Sequence, residues 1–286
     1  MSDGLARFLL ALQFMTRLPI RSESYYTDER MAASVRHYPL VGCLIGALMA
    51  LVWVIGIQWW PVSVTLALAL TAGLLLTGAF HEDGLADTFD GIGGGLTPQR
   101  SLEIMKDSRL GSYGALALMA VLGTKFVTLL ALAGSGTGAE ALVVTGSSSD
   151  GSPDGFPVAE TLPGAGGVWV VAGALIAAHG LSRLSSVLVI ASSNYVREEG
   201  TAKPVSRGID RESLLVAIGI GLAIVICGAF LWPFSALVGA LVGLGAGHAL
   251  MRLFFERKLG GYTGDTLGAV QQCSELGFHL GLLACL

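Results

Sequence analysis

Long apolar runs constrain this chain more than any other feature of its sequence. Six runs approach or exceed the ~18 residues that a membrane-spanning helix needs; they cover 38–58, 62–80, 113–133, 167–190, 213–232 and 234–251. A weaker seventh run covers 266–286. Only 13% of the residues are charged, against roughly 25% in ordinary soluble domains. We therefore predict an all-α, polytopic membrane bundle of six or seven transmembrane helices, forming a single domain over residues 1–286.

The first twenty residues carry a different pattern, in which apolar residues recur at helical spacing and polar residues interrupt them. The apolar positions are Leu5, Phe8, Leu9, Leu12 and Met15. Arg7, Gln13 and Arg17 lie between or after them. This pattern predicts an interfacial amphipathic helix over residues 1–20 that ends near Pro19.

The basic residues indicate how the helices are oriented. They concentrate before the first run and in every second connection, whereas the connections 58–61, 134–166 and 232–234 contain no Lys or Arg. Because basic loops stay on the cytoplasmic side, we expect a bacterial inner-membrane protein with a cytoplasmic N-terminus and cytoplasmic catalytic loops. The Gly-, Ser- and Pro-rich stretch 134–166 is predicted to be a flexible periplasmic loop.

A dense acidic segment follows the second apolar run. Between His81 and Gly91 it holds four carboxylates, Glu82, Asp83, Asp87 and Asp90. In a helix, Asp83, Asp87 and Asp90 would share one face, where their mutual repulsion favours a hard divalent cation such as Mg²⁺. The alternative is a solvated acidic helix end, although the interleaved apolar residues argue against it.

Three basic residues downstream of the acidic segment are candidates for binding phosphate. Lys106 and Arg109 lie in the same connection and could neutralise a diphosphate, but basic residues beside a membrane helix are also common topological determinants. Lys125 falls inside the third apolar run, where a charge requires a partner. A structural ion pair and a contact with substrate phosphate both stay open for Lys125.

A third polar segment, residues 260–268, precedes the last apolar run and places Asp265 among glycines. Glycines allow close approach of another backbone or a phosphate, so we expect Asp265 to lie near Asp83 and Asp87 in the folded bundle. The alternative is that Asp265 caps the last helix. Glu275 and His279 are four residues apart, and we expect this polar face to point into the bundle.

Taken together, these segments resemble the cobalamin synthase family, and the resemblance covers most of the chain. The matching blocks are Phe14–Pro19, Tyr38–Gly42, His81–Gly91, Leu102–Gly111, Thr263–Asp265 and Ser274–Leu276. The long 134–166 connection is the clearest departure from the family pattern.

The resemblance implies the last assembly step of the coenzyme, in which α-ribazole or its 5′-phosphate attacks adenosylcobinamide-GDP and releases GMP. It implies Mg²⁺ held by Glu82, Asp83, Asp87 and Asp90. It further implies that Lys106, Arg109 and Lys125 contact substrate phosphate, and that Asp107, Asp265 or His81 serves as the base. We expect the lipid bilayer as a partner and no nucleic acid; homo-oligomerisation and association with other cobalamin-assembly enzymes stay open.

Two other functions compete with this interpretation. Residues 87–91 also match the opening of the CDP-alcohol phosphotransferase motif, but the Ala-Arg that should follow is missing. A secondary transporter could use Lys125, Glu275 and His279 as an ion relay. Against a transporter, the two halves of the chain show no internal repeat, and the acidic residues cluster at one interface.

Overall fold

The predicted helical membrane fold is confirmed. The computed structural model describes residues 2–135, 163–197 and 209–286, and within these ranges all regular structure is helical apart from one isolated bridge. Most of the predicted periplasmic loop, residues 136–162, lies outside the described residues. The assignment of the whole chain to one domain stays a prediction.

Eleven α-helices occupy the described ranges. They are α1 Asp3–Met15, α2 Asp28–Ser34, α3 Tyr38–Gly56, α4 Val62–Thr77, α5 Phe80–Gly94, α6 Pro98–Ile104, α7 Ser112–Ser135, α8 Ala165–Ser192, α9 Arg211–Leu231, α10 Phe234–Leu259 and α11 Gly264–Cys285. A 3₁₀ turn, Val35–His37, joins α2 to α3. Five stretches are long and apolar enough to cross a membrane, namely Asp28–Gly56, α7, α8, α9 and α10, and α4 with α5 would add a sixth as one broken span.

The predicted N-terminal amphipathic helix is present as α1, which is shorter than expected. It is capped by Ser2 and ends at Met15, before Pro19. Its buried side packs against the rest of the chain through Ala6, Leu10, Ala11 and Met15. Leu5 stays about half exposed, at 47%.

Glycines bring the helices together, as expected for a bundle in lipid, where small residues allow close van der Waals packing. A Cβ at Gly42 or Gly46 of α3 would collide with the α8 backbone. In the same way α10 and α11 pack closely and antiparallel along their length. The glycines at that contact are Gly239, Gly243 and Gly247 of α10 and Gly277 and Gly281 of α11.

The second apolar run, predicted over 62–80, forms the helix α4 and is followed directly by a sharp bend. Its helix stops at Thr77, Gly78 and Ala79 adopt left-handed conformations with φ of 65° and 55°, and α5 leaves at 86° to α4. The backbone N–H of Arg17 donates to the carbonyl of Leu76 at 2.7 Å beside this bend. The acidic segment therefore lies on a separate helix, turned against the centre of the bundle.

The weak seventh apolar run forms α11, which is not among the helices apolar enough to cross a membrane. It packs mainly against α10, α5 and α8. Its polar residues are buried; Gln271, Gln272, Glu275 and His279 are each at most 2% exposed. The predicted polar face of this helix does point into the bundle.

Candidate functional site

The acidic helix α5 packs closely against the start of α11, with glycines at the points of contact. A Cβ at Gly84 would lie 2.7 Å from the carbonyl oxygen and 3.0 Å from the Cα of Asp265, and one at Gly268 would lie 2.9 Å from the carbonyl of His81. Asp265 thus lies beside the acidic segment, as expected from the sequence. The alternative role as helix cap is wrong, because Thr263 caps α11 and its hydroxyl accepts from the backbone N–H of Thr266 at 3.2 Å.

Asp83, Asp87 and Asp265 form a group that we call the carboxylate cluster. Asp87 experiences the negative charges of both Asp265 and Asp83. Asp83 is exposed and Asp87 is half-buried, so the cluster opens to the surface of the protein. Three carboxylates held this close repel one another, and a cation that enters the cluster relieves that repulsion.

Arg197 supplies a positive charge to this cluster, and sequence reasoning missed it. Its Nη2 lies 2.6 Å from Oδ2 of Asp265, and its charge also acts on Asp87. Its side chain is only 12% exposed. In the sequence, Arg197 is one of several basic residues in a connection and carries no signal beyond membrane topology.

A short backbone pairing holds Arg197 in place. The N–H of Val196 donates to the carbonyl of Tyr262 at 3.0 Å, and the N–H of Tyr262 donates to the carbonyl of Asn194 at 2.8 Å. Gly261 allows this pairing, because a Cβ there would collide with the Asn194 carbonyl. The glycines before α11 therefore admit the connection that carries Arg197.

The two candidate aspartate bases have opposite environments. Burial raises the pKa of Asp265, although the charge of the Arg197 guanidinium, 2.6 Å away, acts in the other direction. For Asp107, side-chain and backbone hydrogen bonds with Arg109 lower the pKa to about 2. A carboxylate with so low a pKa is a weak proton acceptor near neutral pH, so Asp265 is the better placed of the two.

The predicted phosphate ligands Lys106 and Arg109 are exposed side chains in the connection between α6 and α7. The Arg109 side chain is 87% exposed and pairs with Asp107 at 2.5 Å. Lys106 is exposed. Arg109 and Asp107 line a polar cleft of ≈240 Å³ at the start of α7. Among the described residues, no ion pair joins Lys106 or Arg109 to Asp83, Asp87 or Asp265.

Asp90, a predicted metal ligand, contacts the start of α7. Its Oδ2 accepts from the N–H of Gly111 at 2.7 Å and its Oδ1 accepts from the N–H of Gly114 at 2.9 Å. Such bonds satisfy backbone donors that a helix start leaves free. Both carboxylate oxygens therefore hold α7 against α5, and the metal role of Asp90 stays a prediction.

Glu82 points to a different side of α5 from Asp83. It belongs to a set of residues that we call the buried network: Glu82, Lys125, Gln272 and Glu275. Gln272 donates to Oε1 of Glu82 at 2.7 Å, and Lys125 donates to the side-chain oxygen of Gln272 at 2.7 Å. Lys125 also pairs with Glu275 at 2.7 Å, with side chains 3% and 0% exposed. Of the two roles left open for Lys125, the structure therefore contains the ion pair.

His81, the third candidate base, lies at the interior edge of this arrangement. It is 4% exposed and packs edge-on against Phe80, with ring centroids 5.4 Å apart. It lines the small cavity of the buried network as well as a second cavity that reaches Gly264. Its buried position makes it a less direct proton acceptor than Asp265.

The arrangement of donors does not form a complete metal cage. In the part of the chain that the structure describes, no three His, Cys, Asp or Glu side chains are grouped so that they could hold a metal ion. Any cation at the carboxylate cluster would need additional ligands from water or substrate.

Comparisons with known proteins cover nearly the whole chain. The family model described as cobalamin-5-phosphate synthase matches residues 7–152 and 155–283. The adenosylcobinamide-GDP ribazoletransferase of Leptothrix cholodnii is 42% identical over 283 residues, which is 97% of this chain and 94% of the relative. The protein of the same name from Shewanella baltica strain OS155 is 41% identical over 278 residues, or 96% and 93% of the two chains. No solved structure matches the chain significantly.

Proposed function

Because the chain belongs to the cobalamin-5-phosphate synthase family, we propose that it is a membrane-embedded, Mg²⁺-dependent transferase that joins adenosylcobinamide-GDP to α-ribazole or its 5′-phosphate. The products are adenosylcobalamin, or its 5′-phosphate, and GMP. One observation carries the proposal for the site: Asp265 packs against Gly84 of the acidic helix. The family match favours this reaction over CDP-alcohol transfer and over secondary transport.

The metal proposal rests on the donor chemistry of the carboxylate cluster. Asp83 and Asp87 offer hard oxygen donors beside Asp265, whose ion-pair partner is Arg197. Mg²⁺ is usually bound through one or two carboxylates, with water and substrate phosphates completing its shell. A complete protein cage is therefore not required. When bound, the ion would neutralise diphosphate charge and charge on the departing GMP.

Asp265 and Arg197 then have different roles in the reaction. Asp265 accepts the proton of the riboside hydroxyl, whose oxygen bonds to the phosphorus that links cobinamide to GMP. The bond from that phosphorus to the GMP phosphate oxygen breaks, and GMP leaves. Arg197 donates hydrogen bonds to phosphate oxygens and offsets the charge that develops on them, a role for which the planar guanidinium is suited.

We place the site on the cytoplasmic side of a bacterial inner membrane, because the basic residues accompany the connections at that end. Cysteine labelling of intact cells tests the orientation in a variant without native cysteines. Ser148→Cys, in the predicted periplasmic loop, should react with an impermeant maleimide. Leu96→Cys, at a position 94% exposed, should react only after permeabilisation, and the reverse pattern would invert the orientation.

Reconstituted protein tests the proposed reaction. Purified protein in liposomes, given adenosylcobinamide-GDP and α-ribazole, should release GMP and form the joined product in equal amounts. Omitting Mg²⁺ should stop turnover, and restoring it should recover turnover. Movement of either substrate into the liposomes without GMP release would instead support a carrier and overturn the proposal.

A further inference from the structure

Two family blocks have no part in the chemistry described above, yet the structure brings them together beside the acidic helix. Phe14, from the Phe14–Pro19 block, stacks on Tyr38, from the Tyr38–Gly42 block, with centroids 6.1 Å apart and planes 8° apart. Phe14 also meets Phe80, the first residue of α5, edge-on at 5.4 Å. An aromatic group thus lies against the start of the helix that carries Asp83.

Phe14 and Phe80 form one wall of an open cleft of ≈390 Å³ between α1, α2 and α5, which we call the aromatic cleft. Phe14, Tyr26 and Phe80 supply aromatic rings to its lining, and Gln13 and Ser22 are among its polar residues. The volume falls within the range of about 300–1,000 Å³ typical of small-molecule sites. The lining therefore suits a flat, mostly apolar ring with few hydrogen-bonding groups.

Helix geometry connects the aromatic cleft to the carboxylate cluster. Phe80, Asp83 and Asp87 are at positions i, i+3 and i+7 of α5, so they lie along one face, with neighbouring Cβ atoms about 5–6 Å apart. Phe14 and Phe80 also line a second, smaller cavity that reaches Gly264, next to Asp265. A ring held against Phe80 would leave an attached sugar within reach of the carboxylates.

We propose that the aromatic cleft binds the benzimidazole ring of the ribazole substrate and directs its ribose toward Asp83 and Asp265. This inference rests on the proposed function. The benzimidazole of α-ribazole carries two methyl groups, which give the ring an apolar edge that the cleft can cover. Guanine, in contrast, carries several donors and acceptors that would lose water without finding enough partners, and a corrin ring is too large for the cleft.

Steady-state kinetics of ring-removing variants test the cleft. Phe14→Leu and Tyr26→Leu remove a ring but keep an apolar side chain, and Leu5→Ala, elsewhere on α1, is the control. Stacking of a base on an aromatic side chain contributes about 1–3 kcal/mol, so the KM for α-ribazole should rise roughly 5- to 150-fold in the two variants. The KM for adenosylcobinamide-GDP should stay within about 2-fold of wild type. An unchanged KM for α-ribazole would overturn the proposal, as would an equal rise for both substrates.

A protection experiment tests the cleft even if the ring-removing variants fail to fold. It also distinguishes failure of the cleft proposal from failure of the proposed transfer reaction. Gln13→Cys, in a chain otherwise free of cysteine, places a thiol in the cleft lining. α-Ribazole alone should slow its reaction with maleimide at least ~5-fold, whereas GMP should not. Turnover without protection would remove the cleft proposal and leave the proposed function standing. Protection without turnover in the wild-type protein would support the cleft and contradict the transfer reaction. A thiol that is shielded equally with and without riboside would indicate lipid in the cleft and overturn the proposal.

Discussion

Two polar regions meet at α5, and they differ in how completely their charges are paired. In the buried network, Lys125 pairs with Glu275, and Gln272 bridges Lys125 to Glu82. In the carboxylate cluster, Asp83, Asp87 and Asp265 have Arg197 as the ion-pair partner of one member. The difference shows that neighbouring acids in one sequence motif need not form one ligand set. Glu82 and Asp83 are adjacent, but consecutive residues on a helix point about 100° apart.

The buried network is suited to holding helices together. Charges inside a membrane protein are costly unless they are paired or face a wet cavity, and these residues join α5, α7 and α11 through contacts of 2.7 Å. Among the described residues, Asp83 and Asp87 have no ion-pair partner and lie at an open surface, which is suited to recruiting a cation and a phosphate.

The largest expected effect is on stability, in the buried network. Lys125→Met removes the ammonium partner of Glu275, which keeps the Gln271 amide and the His179 ring as polar neighbours. Breaking a buried ion pair in this way costs about 3–5 kcal/mol. Thermal or denaturant unfolding in detergent measures the loss. Lys106→Met, at an exposed lysine, is the control and should change stability by less than about 0.5 kcal/mol. If the Lys125→Met protein were stable but bound the diphosphate substrate more weakly, Lys125 would belong to the substrate site and not to a structural ion pair.

The next effect is on turnover, in the carboxylate cluster. Asp83→Asn and Asp87→Asn each remove an anionic ligand, so we expect GMP release to fall at least ~100-fold, as when other charge-stabilising groups are removed from active sites. The protein should remain folded, because Asp83 is exposed and Asp87 is half-buried. Glu103→Gln, an exposed acid at the same end of the bundle, should keep wild-type turnover. Wild-type rates of GMP release in either Asp variant would support the alternative that the acidic segment is only a solvated helix end.

Features with a local signal could be predicted from the sequence. Run length and apolar content predicted the helical membrane fold, and the glycines around Asp265 predicted its close approach to Asp83 and Asp87. The bend after α4 had a signal at Gly78, since glycine often ends a helix, but none at Ala79, because a positive φ is uncommon for alanine. The bend ends the helix of the run 62–80 at Thr77 and turns α5 away from α4.

Features that depend on long-range packing could not be predicted. The side toward which Glu82 points depends on the register of α5 against α11. The capping of α7 by Asp90 depends on a loop that returns twenty residues later. Arg197 reaches Asp265 only through the pairing of residues 194–196 with Tyr262, which no local pattern indicates.

A smaller effect is expected at Arg197, which borders the carboxylate cluster. Arg197→Lys keeps the charge but loses the planar fork, so the KM for adenosylcobinamide-GDP should rise about 10-fold while the KM for α-ribazole stays near wild type. Arg252→Lys is a matched control, since Arg252 contacts Ser192 and Glu256 at the same end of the bundle. A rise in both KM values would indicate that Arg197 only supports the loop.

The Mg²⁺ dependence of GMP release, measured side by side in Glu82→Gln and Asp83→Asn, tests the division between the two regions most directly. A glutamine at 82 keeps an oxygen that can accept from Gln272, so the account predicts a half-activating Mg²⁺ concentration within about 2-fold of wild type. Asp83→Asn should need at least ~10-fold more Mg²⁺ or fail to saturate, because it loses a charged ligand. An equal shift in both variants would place Glu82 in the metal site and contradict the account.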